Sequence, residues 1–184
     1  RPLAPPVVRA GDEVIAQVAC ILHALAPPVG MAPSDEAGRT RALQLQLTIA
    51  DLVAEAHNTH HPIASGLYYE DQKTEALRYA ASFLGERVPK YLKYFEDVLR
   101  RNGGEVMVGD AVSYVDLSMF QVLTGLEYAF PKAFARVVKD IPTLVALRDR
   151  VAARPRIAAY LASPRRLAFN EQGIFRRYPE LDAK

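Results

Sequence analysis

Three histidines crowd one short stretch of the chain, His57, His60 and His61 in HNTHHP. Imidazole nitrogens bind zinc and related ions, and His57 and His61, four residues apart, would share one face of a helix. A third ligand would then come from elsewhere, with Asp51 and Glu55 as the nearest acids. No complete zinc spacing is present, so the expectation is no metal, and the preferred reading is a helix end at which His61 borders a substrate cleft. A second constellation is VGDAVSYVDLSMF, residues 108–120. Here Ser113 can accept from the N–H of Asp116 while Asp116 reaches back to the N–H of Ser113, which satisfies two donors at a helix start. Val112 and Leu117 can add an apolar staple. That is a structural device, not catalysis. Tyr68, Tyr69 and Tyr114 each combine an apolar ring with a polar tip, and of these Tyr114, beside the capping box, is the candidate for a pocket wall. Cys20 lies in an apolar segment and is expected to be a buried, inert thiol.

The elements that must position these residues fall into two regimes. Residues 2–33 are proline-rich, and PPVVRAGDEVIAQ reads as a hairpin turning at Ala10-Gly11-Asp12. A short helix over VACILHALA, residues 18–26, is stopped by Pro27-Pro28. After a linker, residues 27–38, long helices take over. In the first, Leu43, Leu47, Ala50 and Ala54 recur at steps of four, three and four and predict the buried face, with a break near Pro62. A second helix is predicted from about Gln72 to Arg101, burying Phe83, Tyr91, Phe95 and Leu99, with a kink at Pro89. Asn102-Gly103-Gly104 ends it, and the capping box opens the next helix, to about Phe130. Pro142 and Pro155 mark two more helix starts, where a missing N–H costs nothing. Residues 163–184 carry Phe169, Phe175 and Tyr178 without a period and read as an ordered extension packed on the helices.

Composition narrows the function. A chain of 184 residues can bury a sizeable core without staples. Its 23 lysines and arginines against 21 acids, in mixed sign, give no support to a nucleic-acid or membrane-surface role. A single cysteine excludes an internal disulfide framework and points to a reducing, cytoplasmic setting. The apolar runs are too short to span a bilayer, and RPLAPPVV lacks the features of a secretory signal.

GDAVSYVDL followed by an apolar helix, and then IPTLVALRDRVAARPRIAAYL, resembles the helical C-terminal domain of the glutathione transferases. APPVVRAGDEVIAQVACILHAL is similar to the last part of that family's thioredoxin-like domain. Together the two matches span nearly the whole chain, with features of a bacterial, cytosolic branch. The resemblance implies a mainly α fold. Residues 1–30 would form a partial thioredoxin-like α/β unit, a β-hairpin plus helix, and residues 35–184 the all-helical domain. It also implies that the strand–helix–strand–helix segment carrying the thiol-activating residue precedes Arg1. A hairpin and helix without those strands would expose a sheet edge and one face of Val18–Leu25.

By the same resemblance glutathione is the co-substrate, the Pro5–Pro6 bond is cis, and the backbone of Pro5 faces the cysteinyl amide. Gln17 contacts the γ-glutamyl group, and the N–H of Val18 faces its carboxylate. Asp51 matches an acid that some classes send across a homodimer interface to the ammonium; by itself it reads as part of a solvated helix face. Tyr114 and His61 would border the pocket for a hydrophobic electrophile, and Phe169 and Phe175 either cover the cleft or simply pack. Val18 departs from the family's usual serine or threonine and removes one hydroxyl bond to the carboxylate. The implied activity is conjugation of glutathione to electrophiles, a detoxification chemistry. The alternatives are a non-catalytic binding or scaffold member and a glutathione-dependent isomerase or reductase.

Overall fold

Proline and glycine set many of the element boundaries, and capping acids set several others. A computed structural model describes residues 2–182. The first residue and the last two of the predicted tail lie outside the described residues. Strands β1 (Val7–Ala10) and β2 (Glu13–Ala16) pair antiparallel, with Val7 opposite Ala16 and Ala10 opposite Glu13. Gly11 turns between them at φ 64°, a conformation open to glycine at no steric cost. The remainder is helical: α1 (Val18–Leu25), α2 (Glu36–Asn58), α3 (Lys73–Ser82), α4 (Val88–Arg101), α5 (Tyr114–Ala129), α6 (Pro131–Val137), α7 (Pro142–Ala153) and α8 (Pro155–Leu161). The expected mainly α fold, hairpin and helix followed by a helical domain, is what forms. No helix among the described residues is long and apolar enough to cross a membrane.

Helix α5 sits at the centre. Met119 and Leu123 are fully buried, and Leu126 nearly so, against Leu45, Ile49 and Leu52 of α2, Leu92, Phe95 and Leu99 of α4, and Leu144 and Leu147 of α7. The capping box at its start operates through Asp116. Its Oδ2 accepts from the Ser113 N–H at 2.7 Å and the Ser113 hydroxyl at 2.9 Å, while Oδ1 accepts from the Met107 N–H at 2.8 Å. Asp116 is fully buried; burial pushes its carboxyl up and these hydrogen bonds pull it back, with burial prevailing. Two further helix starts are capped from distant elements. Glu96 of α4 accepts from Thr143 and Leu144 at the start of α7, and Asp182 accepts from Lys132 and Ala133 at the start of α6. Each ties together segments nearly fifty residues apart.

Two sequence expectations need correction. The buried face of α2 is Ala42, Leu45, Ile49, Leu52 and Ala56, whereas Leu47 is 51% exposed, Ala50 and Ala54 are exposed, and Leu43 is half-buried. Helix α2 carries two apolar stripes with equivalent spacing, and periodicity alone does not say which one meets the core. The predicted 72–101 helix is two helices joined by a π turn over Phe83–Arg87, in which the Val88 N–H reaches back five residues to the Phe83 carbonyl. Pro89 closely follows the π turn within an unbroken helical stretch, and the wider turn accommodates its missing N–H and its steric demand. Phe83, Phe95 and Leu99 are buried as expected and Tyr91 partly so.

The tail is ordered through aromatic contacts. Phe169 stacks on Tyr128 with centroids 4.7 Å apart, Tyr178 stacks on Tyr69 at 3.8 Å, and Phe175 is buried. Gly125 of α5 makes room for Phe175: a Cβ there would lie 2.4 Å from the ring.

Candidate functional site

The hairpin delivers the chain into α1 through Gln17, which holds φ 67° and ψ 121°. It is the only described non-glycine residue with positive φ. Such backbone costs about 1–3 kcal/mol and persists where the surroundings enforce it. No side chain caps the helix that follows; its first backbone bond runs from the Ile21 N–H to the Gln17 carbonyl at 2.9 Å. The amides of Val18, Ala19 and Cys20 therefore carry the partial positive charge of an uncapped helix start. Val18 is 49% exposed, and upstream of it the Pro5–Pro6 peptide is cis, as the resemblance implies.

Val18 also opens onto a cavity of about 480 Å³ bounded by α1, α2, α5 and the tail. Its walls are largely apolar: Leu22, Ile49, Val53, Leu117, Phe169 and Phe175. Polar side chains interrupt that surface at Gln46, Tyr114, Ser118, Gln121 and Asn170, and of these Gln46 and Tyr114 are each 3% exposed. Gln46 Oε1 and Tyr114 Oη are buried without a hydrogen-bond partner, and burial raises the Tyr114 phenol. An unpaired buried polar atom costs about 1–3 kcal/mol. A pocket of this size, with a largely apolar lining and two unpartnered polar atoms at Gln46 and Tyr114, suits a small apolar molecule bearing a hydrogen-bonding group.

The other candidates fall elsewhere. Gln17 directly precedes α1, and neither it nor Pro5 lines the cavity. Asp51 is exposed on α2 and does not line the cavity. His61 does not line the cavity; it stands with His57 and His60 where α2 ends. Of the two carboxylates considered as further metal ligands, Asp51 is not in the histidine cluster, and Glu55 is engaged, bound by Arg87 at 2.6 and 2.8 Å and by Tyr91 at 2.8 Å. The Arg87 guanidinium holds Glu55 below the usual carboxylate range. The third nitrogen beside His57 and His61 is that of His60. His60 is fully buried, its Nε2 lies 2.8 Å from the Ile174 carbonyl, and burial pushes its imidazole down to about 4. Cys20 is exposed, contrary to expectation, because α1 buries only Ala19 and Ile21. Tyr68 is exposed, and Tyr69 is buried with its hydroxyl on Glu180 at 2.9 Å. Phe169 and Phe175 both pack and line the cavity.

Gln46 is the site residue that sequence reading missed. Its signal is a polar side chain one position after Leu45 on the buried stripe, visible only once the helix register is known.

Residues 57–164 match the family described as glutathione S-transferase, C-terminal domain. The chain is 25% identical over 158 residues to a glutathione S-transferase of Plasmodium yoelii yoelii, covering 86% of this chain and 67% of that protein. It is 27% identical over 156 residues to glutathione S-transferase P of Caenorhabditis elegans, covering 85% and 68%. The fold superposes on a Pi-class glutathione S-transferase of Onchocerca volvulus with a TM-score of 0.64 at 22% identity, over 82% of this chain and 66% of the other. The chain thus spans about two thirds of the length of each of these proteins.

Proposed function

This chain belongs to the glutathione S-transferase superfamily, and from that premise we propose that it is a glutathione transferase-like enzyme joining glutathione to hydrophobic electrophiles. The observation that carries the reading is the uncapped start of α1, entered through a strained Gln17 and opening beside an apolar cavity. Glutathione brings a carboxylate and an ammonium at its γ-glutamyl end and an amide ladder at its cysteine. The Val18 amide and its neighbours receive the γ-glutamyl carboxylate, where the helix dipole favours negative charge. Gln17 contacts the same group, and the backbone at Pro5 faces the cysteinyl amide. The electrophile occupies the cavity, oriented by Gln46 and Tyr114. The thiol first gives its proton to water, favoured by a hydrogen bond that lowers its pKa. The thiolate sulfur then forms the carbon–sulfur bond as a leaving group such as halide departs with the electron pair of the bond it breaks, or as the π pair of an activated double bond shifts away and is protonated by water. The donor of the hydrogen bond to the thiol is assigned to no residue of this chain. The setting is the cytosol.

The working unit is a homodimer. The exposed apolar stripe of α2, with Leu47, Ala50 and Ala54 outward, supports a second copy on this face, which brings Asp51 to the partner's γ-glutamyl ammonium.

A second reading, a binding or scaffold member without turnover, is favoured by Val18. A side chain with no hydroxyl forgoes a charge-assisted bond worth about 1.5–3 kcal/mol. Calorimetry of the full-length protein with glutathione, followed by a panel of electrophiles, separates the two. Binding with conjugate formation is the expected result; binding without conjugate selects the second reading, and absence of binding refutes the first.

A further inference from the structure

The three imidazoles at the end of α2 serve neither the cavity nor the helix start. Their ligand nitrogens all lie within 4.8 Å of one another. The rings of His57 and His61 stack with centroids 5.0 Å apart, and His60 meets both edge-on, at 5.1 and 4.7 Å. Nδ1 of His60 is 2.5 Å from Nδ1 of His61. A carbonyl oxygen only accepts, so the 2.8 Å contact with Ile174 places the His60 proton on Nε2 and leaves Nδ1 as the acceptor of the His61 Nδ1–H, a proton that an incoming metal ion replaces. An imidazole anchored by a backbone carbonyl on one nitrogen, with its lone pair turned toward two others, is the arrangement by which proteins orient metal-binding histidines.

We propose that His57, His60 and His61 form a binding site for a divalent first-row transition-metal ion at the C-terminal end of α2. The ion class follows from the donors. Three neutral nitrogens without a carboxylate suit zinc, nickel, cobalt or copper and not magnesium or calcium, which require oxygen. Metal–nitrogen bonds of about 2.0–2.1 Å at tetrahedral angles set the nitrogens roughly 3.3 Å apart. The His60–His61 pair therefore opens and the widest pair closes, movements within the reach of ring rotation because His57 and His61 are only half-buried. The position at the end of a 23-residue helix adds the negative pole of its dipole. Three protein ligands leave at least one coordination position for water or an external ligand.

The site is tied to the cavity through His60. Ile174 and Phe175 belong to the tail that lines the cavity, so metal binding at His60 reinforces the contact that seats that tail. This inference is independent of whether glutathione binds at α1.

The test is calorimetric titration of the tag-free full chain with zinc at neutral pH. One equivalent binds with micromolar affinity or tighter, and His57→Ala and His61→Ala each weaken it about tenfold or more, with unchanged circular dichroism. Cys20→Ser combined with His23→Ala, which removes the remaining histidine and the thiol, leaves it intact. A readout that needs no variant is electron paramagnetic resonance of the copper-loaded wild type, in which three nitrogen donors are expected. No binding at millimolar zinc, binding undiminished in the His57→Ala/His61→Ala double variant, or fewer than three nitrogens on copper overturns the proposal.

Discussion

Gln17 and Glu55 are held for different purposes. Gln17 keeps a backbone conformation that disfavours any residue with a Cβ, and what it gains is the direction in which α1 presents its amides. Glu55 is held by Arg87 and Tyr91 and bridges α2 to the junction of α3 and α4. Its carboxyl is lowered by Arg87, so the bridge contributes stability above the unfolded-state value, about 4.3 for glutamate, and loses it as pH falls through the depressed folded-state value. Glu55→Gln is therefore expected to be less stable than wild type in urea at pH 7, with the difference shrinking toward zero in strong acid. An equal difference at both pH values would contradict the assignment. At this scale the sequence was a partial guide. Tyr114 was recognisable because a capping box fixed its place, and the histidine cluster because its members are neighbours in the chain. The Glu55–Arg87 pair spans 32 residues and depends on how two helices cross, which spacing does not encode.

Among the elements, α5 is the keystone because one carboxylate fixes its start and also holds the loop before it. Asp116→Ala removes the cap and leaves the Met107 N–H without its acceptor. The expected loss is about 2–4 kcal/mol, summing a cap with an orphaned buried donor. Urea unfolding should show a lower midpoint with an unchanged slope, and a loss below about 0.5 kcal/mol would show that the box is dispensable. Element boundaries were legible wherever proline or glycine wrote them: Pro27-Pro28 after α1, Asn102-Gly103-Gly104 after α4, Pro142 and Pro155 at the starts of α7 and α8. The face of α2 was not, since two apolar stripes competed and only tertiary packing chose. The π turn before Pro89 was legible as a disturbance but not as a type. The distant caps Glu96 and Asp182 have no local sequence signal, since the acid and the amides it serves are nearly fifty residues apart.

For the whole molecule, the apolar stripe that the core does not use is the feature that calls for a partner. Leu47 stands in the middle of it, and in the proposed homodimer Leu47→Glu buries a charge against an apolar surface. Sedimentation should report a dimer for wild type and a monomer for the variant, with the same helical content; a monomeric wild type would remove the role given to Asp51. The central claim, however, concerns the start of α1. Its most direct test is a glutathione titration followed through backbone amide resonances, in wild type and in Val18→Ser. Saturable shifts centred on Val18, Ala19 and Cys20 are expected, with about tenfold tighter binding once serine restores a hydroxyl, roughly 1.4 kcal/mol. Shifts absent from these amides at saturating glutathione, or no change in affinity with serine, would contradict it.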